Sequence, residues 1–207
     1  MVDKILEEGA QRLAEAITKE LNNSLDKNLP LNLVETIKAH SFGAAAAAVA
    51  SGWFPGIGGA AMVATSAGFI WTMYAKIGNE IGFKFSEHIL KSLATGIASN
   101  LIALGAGGAI ATSVISFIPI GGWIAASLIA GSTAYSLTII AGYIYLKILT
   151  NIFESQINPN SLSQEDLKDM ADNIIKKENI KDMMEKAKKE KPVEEVVQLS
   201  LFDMEWT

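Results

Sequence analysis

The longest uncharged run of the chain is SLATGIASNLIALGAGGAIATSVISFIPIGGWIAASLIAGSTAYSLTIIAGYIYL, residues 92–146. These 55 residues contain no Asp, Glu, Lys or Arg, whereas a helix on the surface of a water-soluble protein carries a charged or polar face. A second uncharged run of 35 residues covers positions 41–75. A transmembrane helix needs about 20 mainly apolar residues. The two runs therefore predict an all-α protein whose central part associates with a membrane.

The charged residues are concentrated at the two ends of the 207-residue chain. Residues 1–40 contain five basic and seven acidic side chains, and residues 151–207 contain eight and thirteen. The 110 residues between them contain four lysines and two glutamates. Basic segments stay on the cytoplasmic side of a membrane, and two helical hairpins cross it an even number of times. We therefore expect both termini to be cytoplasmic. The charged first 25 residues also argue against a cleavable signal peptide.

Composition and break signals divide the chain into four parts. Residues 1–37 are predicted to form an N-terminal amphipathic helical segment, residues 38–154 a hydrophobic helical-hairpin domain, residues 155–191 a polar helical pair, and residues 192–207 a flexible tail. The apolar stripe of the first helix fits packing on its own domain or lying on a membrane surface. Its mixed charge favours packing, because helices that lie on membranes are typically basic.

Local capping and break signals also place individual helices. We predict four apolar helices, one starting near Leu33, one from Ala60 to about Gly78, one from Glu87 after a Ser86 cap, and one from Gly122 to about Phe153. In the polar pair, Ser163 and Asp166 have capping-box spacing. The helix that they start has an apolar stripe formed by Leu167, Met170, Ala171, Ile174 and Ile175.

Two breaks rich in proline and glycine divide the hydrophobic domain into two similar hairpins. The first is WFPGIGG at residues 53–59 and the second is FIPIGG at residues 117–122, each between an Ala/Gly/Ser-rich helix and a longer helix with aromatic residues. Proline lacks the backbone N–H and clashes with the preceding turn, so a helix does not continue through it. The predicted structural turns are Pro55, Gly56, Gly58, Gly59, Pro119, Gly121 and Gly122.

Small residues recur along all four arms of these hairpins, at Gly43, Ala47, Ser51, Gly68, Ala98, Gly131, Ser132 and Gly142. Small residues let helix backbones approach closely, and this kind of packing dominates between helices in lipid. We therefore expect these positions at helix–helix contacts. The alternative is a water-soluble helical core that hides the hairpins inside, as pore-forming proteins do before insertion. Arms shorter than the ~20 residues of a full span favour this alternative.

The hydrophobic domain also resembles a known family. The resemblance rests on the aromatic–Pro–Gly-x-Gly break at residues 54–58, MYAKIG at 73–78, FKFS and ILKSL between 83 and 93, FIPIGGW at 117–123, and Ala126, Ala134 and Tyr135. Over residues 38–154 this pattern is similar to the hydrophobic domain of unknown function in YcjF-like membrane proteins, which also follows Era-like GTPase domains in other bacterial proteins. The resemblance implies a membrane-associated helical domain, with a GTPase as one candidate partner.

A GTPase activity of this chain itself is not implied. The phosphate-binding pattern Gly-x-x-x-x-Gly-Lys-Ser/Thr is absent from the sequence, and residues 56–59 lack the lysine and hydroxyl that contact phosphates and Mg²⁺.

The residue types that can take part in catalysis or metal binding form no recognisable catalytic pattern. His40 and His88 are the two histidines, and neither has a nearby carboxylate pair or cysteine to complete a metal site. The serines and threonines of the apolar part are expected to bond to their own helix backbone or to a neighbouring helix. We expect a non-enzymatic protein without cofactor, metal or direct nucleic-acid binding. It would act through helix packing and through contacts with a lipid bilayer, a protein partner or a second copy. The alternative is a soluble protein that inserts into membranes or forms pores.

The tail contains a short motif with a separate function. QLSLF at residues 198–202 looks like the pentapeptide by which bacterial polymerases and repair proteins dock on the DNA sliding clamp. Leu201 and Phe202 would fill an apolar pocket, next to Leu199, while Gln198 would make a polar contact. The sliding clamp is therefore a candidate partner. In the alternative, the tail folds back on the helices through Leu199, Leu201, Phe202, Met204 and Trp206.

Overall fold

The computed structural model of the protein describes residues 33–50, 59–83, 85–106, 122–158, 161–180 and 183. The regular elements in these ranges are helices, which confirms the predicted all-α class. They are α1 (Leu33–Ala50), α2 (Gly59–Glu80), α3 (Glu87–Ala106), α4 (Gly122–Glu154) and α5 (Gln164–Lys177).

The predicted helix starts are confirmed where local chemistry determines them. Helix α1 begins at Leu33, and α3 begins at Glu87. The Ser86 hydroxyl caps α3 by accepting the Ile89 backbone N–H at 3.3 Å. Helix α5 begins with the predicted capping box of Ser163 and Asp166. A side-chain acceptor satisfies an N–H that the first helical turn leaves unbonded, so such a residue determines where a helix starts.

Apolar helices that follow one another in the chain run antiparallel, and so do α1 and α4. Along α1 and α4, Ile37 lies against Gly142 and the Phe42 ring meets the Tyr135 ring edge-on at 5.5 Å between centroids. Beyond them, α1 and α4 share a small cluster of Ala44, Ala48, Ala130 and Ala134. Residue numbers thus rise along α1 as they fall along α4. We call the end of the bundle formed by Leu33, Glu80, Glu87 and Glu154 the charged end.

Helix α4 is the central element of the bundle. It contacts each of the other four helices, and its contact with α1 is the most extensive. Nearly every residue between 134 and 150 is buried, with Tyr143 and Lys147 partly exposed. Helix α2 packs mainly on α3, whereas α3 and α4 touch each other less, and α5 contacts both of them. The main helix pairs among the described residues are therefore α1–α4 and α2–α3.

A close turn joins α2 to α3 at the charged end. The Phe83 backbone N–H donates to the Gly78 carbonyl oxygen at 2.8 Å, and the Phe83 carbonyl oxygen would lie 2.5 Å from a Cβ at position 78. Gly82 has a φ of 72°, in the left-handed region that glycine adopts without strain. The two glycines therefore allow the chain to reverse within a few residues.

The predicted close approach of small residues is confirmed at some positions and wrong at one. A Cβ on Gly142 would come within 2.7 Å of the Ile37 side chain, and Ala98 is fully buried. Gly68 is exposed instead, and a Cβ there would meet nothing within 4 Å. It lies on the outer face of α2. The prediction failed here because the spacing of small residues does not show which face of an apolar helix turns inward.

The boundary predicted between residues 37 and 38 falls inside α1, and Leu33 and Ile37 belong to the same buried cluster as α4. The segment 1–32 and the tail 192–207 lie outside the described residues. Among the predicted turn residues, Gly59 and Gly122 are the first residues of α2 and α4. The others lie outside the described residues, namely Pro55, Gly56, Gly58, Pro119 and Gly121.

Candidate functional site

The outer faces of α1, α2 and α3 form an uncharged surface. Their exposed positions beyond the charged end are small, apolar or hydroxyl-bearing, and we call them the uncharged belt: Ala39, Phe42, Ala46, Ala64, Gly68, Thr72, Thr95, Ser99, Ala103 and Leu104. Phe42 and Leu104 are the large hydrophobic residues among them, at 36 % and 37 % exposure. Such a surface has no ionised side chain that binds water strongly.

The hydroxyl groups of the uncharged belt are bonded within their own helices. Thr72 donates to the Gly68 carbonyl oxygen at 3.1 Å, Thr95 donates to Lys91 at 2.8 Å, and Ser99 donates to Thr95 at 2.8 Å. The expectation that hydroxyls of the apolar part bond to helix backbone is confirmed for these three residues, whereas the buried Ser66 and Thr138 hydroxyls have no partner. The three bonded hydroxyls lose little on transfer from water to lipid, because their donors are already satisfied.

The charged end has a different surface. The Lys91 ammonium lies 2.5 Å from the Glu87 carboxylate and 4.5 Å from the centroid of the Trp71 ring. Thr36 donates to the Glu80 carboxylate at 2.7 Å, which joins α1 to α2. An aromatic ring beside a lysine at the edge of an apolar surface is typical of the membrane–water interface.

The dimensions of the uncharged surface are close to those of a bilayer core. The uncharged part of α2, residues 59–75, is about 25 Å long at 1.5 Å per residue, against about 30 Å for the hydrocarbon core. One described helical segment, Ala130–Glu154 of α4, is long and apolar enough to span a membrane, and 78 % of its most apolar window is buried inside the bundle. The most membrane-like segment is thus the covered one, whereas the uncharged belt belongs to α1–α3.

The interior of the bundle contains a tyrosine pair and several polar atoms without partners. Tyr74 of α2 and Tyr145 of α4 stack with ring centroids 4.1 Å apart, and the Tyr74 hydroxyl donates to the Ala141 carbonyl oxygen at 2.9 Å. Among the residues that the structure describes, the buried side-chain atoms without a hydrogen-bond partner are Ser66 Oγ, Trp71 Nε1, Glu80 Oε2, Thr138 Oγ1 and Tyr145 Oη.

Helix α5 is attached to the bundle by two polar contacts that the sequence alone did not predict. Asn100 on α3 donates to the Asp172 carboxylate at 2.7 Å, and Lys147 on α4 pairs with Glu178, just beyond the end of α5. A signal for the second contact was present, since Lys147 is a single charge inside a long apolar helix and needs a partner or water. The identity of that partner depends on how α5 docks.

The two histidines lie apart from these features. His40 is partly exposed on α1, with Nδ1 2.8 Å from the Thr36 carbonyl oxygen, and His88 is exposed in the first turn of α3. Within the described residues, no group of three or more His, Cys, Asp or Glu side chains is arranged to hold a metal ion. The docking residues predicted in the tail, Gln198, Leu199, Leu201 and Phe202, lie outside the described residues.

Comparison with known proteins gives no relative for this chain. No protein-family model matches it, and neither the curated proteins nor the solved structures contain a match.

Proposed function

We propose that this is a non-enzymatic, membrane-associated helical protein that works through helix packing and contacts with partners. The uncharged belt of α1–α3 is the observation that carries the proposal. A water-soluble bundle normally keeps charged side chains along its outer faces, and the described charges of α1–α3 are confined to the charged end. In the proposed arrangement the belt contacts lipid and the charged end lies at the headgroups, with Trp71 and Lys91 at the boundary.

The proposal extends to the segments that join the helices. The breaks at residues 53–59 and 117–122 would turn the chain at the end of the bundle opposite to the charged end. Both termini would then lie on the cytoplasmic side. Helices α1 and α2 would form one hairpin and α3 and α4 the other, with α4 enclosed by the rest. The sequence patterns suggest three candidate partners: a GTPase, the sliding clamp or a second copy of the chain.

The test places a lysine in the uncharged belt. Gly68→Lys adds its side chain to open space, and replacing glycine in a helix favours folding by up to ~1 kcal/mol. A lysine at bilayer depth costs about 2.5 kcal/mol or more. We expect at least a tenfold smaller fraction of Gly68→Lys bound to phospholipid vesicles in a flotation assay, with helix content and thermal stability kept.

The matched control is Asn79→Lys, on the same helix and also exposed, but at the charged end. It should float with the vesicles as the wild-type protein does. Equal flotation of wild-type and Gly68→Lys would contradict lipid contact through this face, and failure of the wild-type protein to float would contradict membrane association altogether.

A second candidate function is insertion from a water-soluble form, including pore formation. The observation that favours it is the burial of α4, the one described segment apolar enough to span a membrane. Pore-forming proteins store such helices inside a sheath of less apolar ones. Release of a small dye trapped in the same vesicles would support pore formation. A protein that works through helix packing and partner contacts would leave the bilayer sealed and release no dye.

A further inference from the structure

Helix α5 lies beside the uncharged part of the bundle. The Asp172 carboxylate accepts its hydrogen bond from Asn100 at 2.7 Å. Asn100 lies about 20 Å along α3 from Glu87, at 1.5 Å per residue. This is the height of Ser99 and Ala103 in the uncharged belt. The docked α5 therefore holds a carboxylate at a level that a transmembrane arrangement would place inside the hydrocarbon core.

The docked α5 carries further exposed charges. The outward face of α5 exposes Lys168, Asp169, Lys176 and Lys177. Charged side chains inside a bilayer are costly unless they reach water or a partner. Lys147 differs from them, because it lies only about 10 Å from Glu154 along α4, and a lysine side chain extends far enough to reach the interface. The obstacle to a transmembrane arrangement is thus α5 and not α4.

The inner face of α5 covers an apolar part of the bundle. Leu167, Ala171 and Ile174 are 0 %, 2 % and 7 % exposed, and they join the same buried cluster as α3 and α4. Removal of α5 would uncover apolar side chains of both helices. Lipid can cover such side chains, whereas water cannot do so without a cost.

We infer that docking of α5 and transmembrane insertion of α1–α4 exclude each other, so that α5 is a releasable cover. While it is docked, the protein is limited to peripheral contact with lipid. Once it is released, α3 and α4 face the acyl chains, and the charges of α5 return to water. This inference rests on the proposed membrane association.

The test locks α5 in place. The chain has no cysteine, so the pair Asn100→Cys and Asp172→Cys can be joined specifically with a short bis-maleimide. The protein is then added to vesicles of phosphatidylethanolamine and phosphatidylglycerol, floated, and washed with alkaline carbonate, which removes peripheral proteins. We expect both the crosslinked and the uncrosslinked protein to float. The carbonate-resistant fraction should be at least about tenfold smaller for the crosslinked protein.

The matched control is a crosslink between Thr36→Cys and Glu80→Cys, whose native side chains are also hydrogen-bonded at 2.7 Å but join α1 to α2. It should leave carbonate resistance unchanged, because α5 is free to leave. As a second variant without a crosslink, Asp172→Ala removes one attachment and should raise the resistant fraction.

Two results would overturn the inference alone: equal carbonate resistance with and without the α5 crosslink, or an equal loss in the α1–α2 control. Absence of flotation in every form would overturn the proposed function, and the inference with it.

Discussion

Two tyrosines at the contact of α2 and α4 have the same ring environment but different hydroxyl environments. Both residues are fully or almost fully buried and stack on each other. The Tyr74 hydroxyl donates to the Ala141 carbonyl oxygen, whereas the Tyr145 hydroxyl has no partner. A buried polar atom without a partner loses its bond to water and gains none in the protein. The two hydroxyls should therefore contribute to stability with opposite signs.

Replacement of each tyrosine by phenylalanine tests this difference. Tyr74→Phe keeps the ring and removes one hydrogen bond, so the free energy of unfolding should fall by about 1 kcal/mol. Tyr145→Phe removes an unpartnered hydroxyl and should be neutral or stabilising. Thermal unfolding of the two variants under identical conditions measures the difference. A larger loss in Tyr145→Phe than in Tyr74→Phe would contradict the assigned hydrogen bonds.

Among the secondary-structure elements, α5 has a start that is specified by a complete capping box. Its capping box consists of the Asp166 backbone N–H donating to Ser163 Oγ at 3.2 Å and the Ser163 backbone N–H donating to Asp166 Oδ2 at 2.8 Å. The Ser163 hydroxyl also donates to the same carboxylate oxygen at 2.6 Å. The side-chain and backbone hydrogen bonds from Ser163 lower the pKa of the Asp166 carboxyl below its ordinary value of 3.8.

This lowered pKa predicts an acid-dependent loss of α5. The pKa of Asp166 is lower in the folded than in the unfolded state, so its ionised form stabilises α5 above about pH 3.8, and this contribution is lost as pH falls through the lowered pKa. Hydrogen–deuterium exchange of the α5 backbone, corrected for intrinsic rates, should show reduced protection in that range. Asp166→Asn should lower protection at neutral pH and remove much of the acid-dependent change, whereas Asp169→Asn, outside the capping box, should keep it.

For the whole molecule, the described helices bring their charged termini together. The beginnings of α1 and α3 and the ends of α2 and α4 share the charged end, while the uncharged runs extend away from it. An antiparallel bundle of four helices necessarily gathers alternate helix ends at one side. The arrangement of α1–α4 by themselves is compatible with insertion from one side of a membrane once α5 is released.

The corresponding prediction concerns topology. Single cysteines in place of Asn23 and Asn160 should react with a membrane-impermeant thiol reagent from the cytoplasmic side, because the basic residues concentrate in the two ends of the chain. Asn79→Cys, exposed at the charged end, is expected to react from the same side. Labelling of positions 23 and 160 from opposite sides would contradict an even number of crossings.

The helical class, the helix starts and the separation of charged from uncharged surface could be predicted from the sequence. These features depend on neighbouring residues: Ser86 and Ser163 cap the helices that follow them, and residues 92–146 carry no charge whatever their packing. The inward face of α5 was also predictable, because its polar residues show which side is exposed and leave Leu167, Ala171 and Ile174 to be buried.

Which helices contact one another could not be predicted from the sequence. Helices α1 and α4 are apolar on nearly all sides, so their sequences do not show which face turns inward, and any apolar neighbour would cover them equally well. Contacts between distant segments determine the pairing: Ile37 of α1 fits against Gly142 of α4, whereas Gly68 of α2 meets nothing within 4 Å. The same holds for the attachment of α5, because Asn100 and Asp172 become partners only after the bundle has placed α3 beside α5.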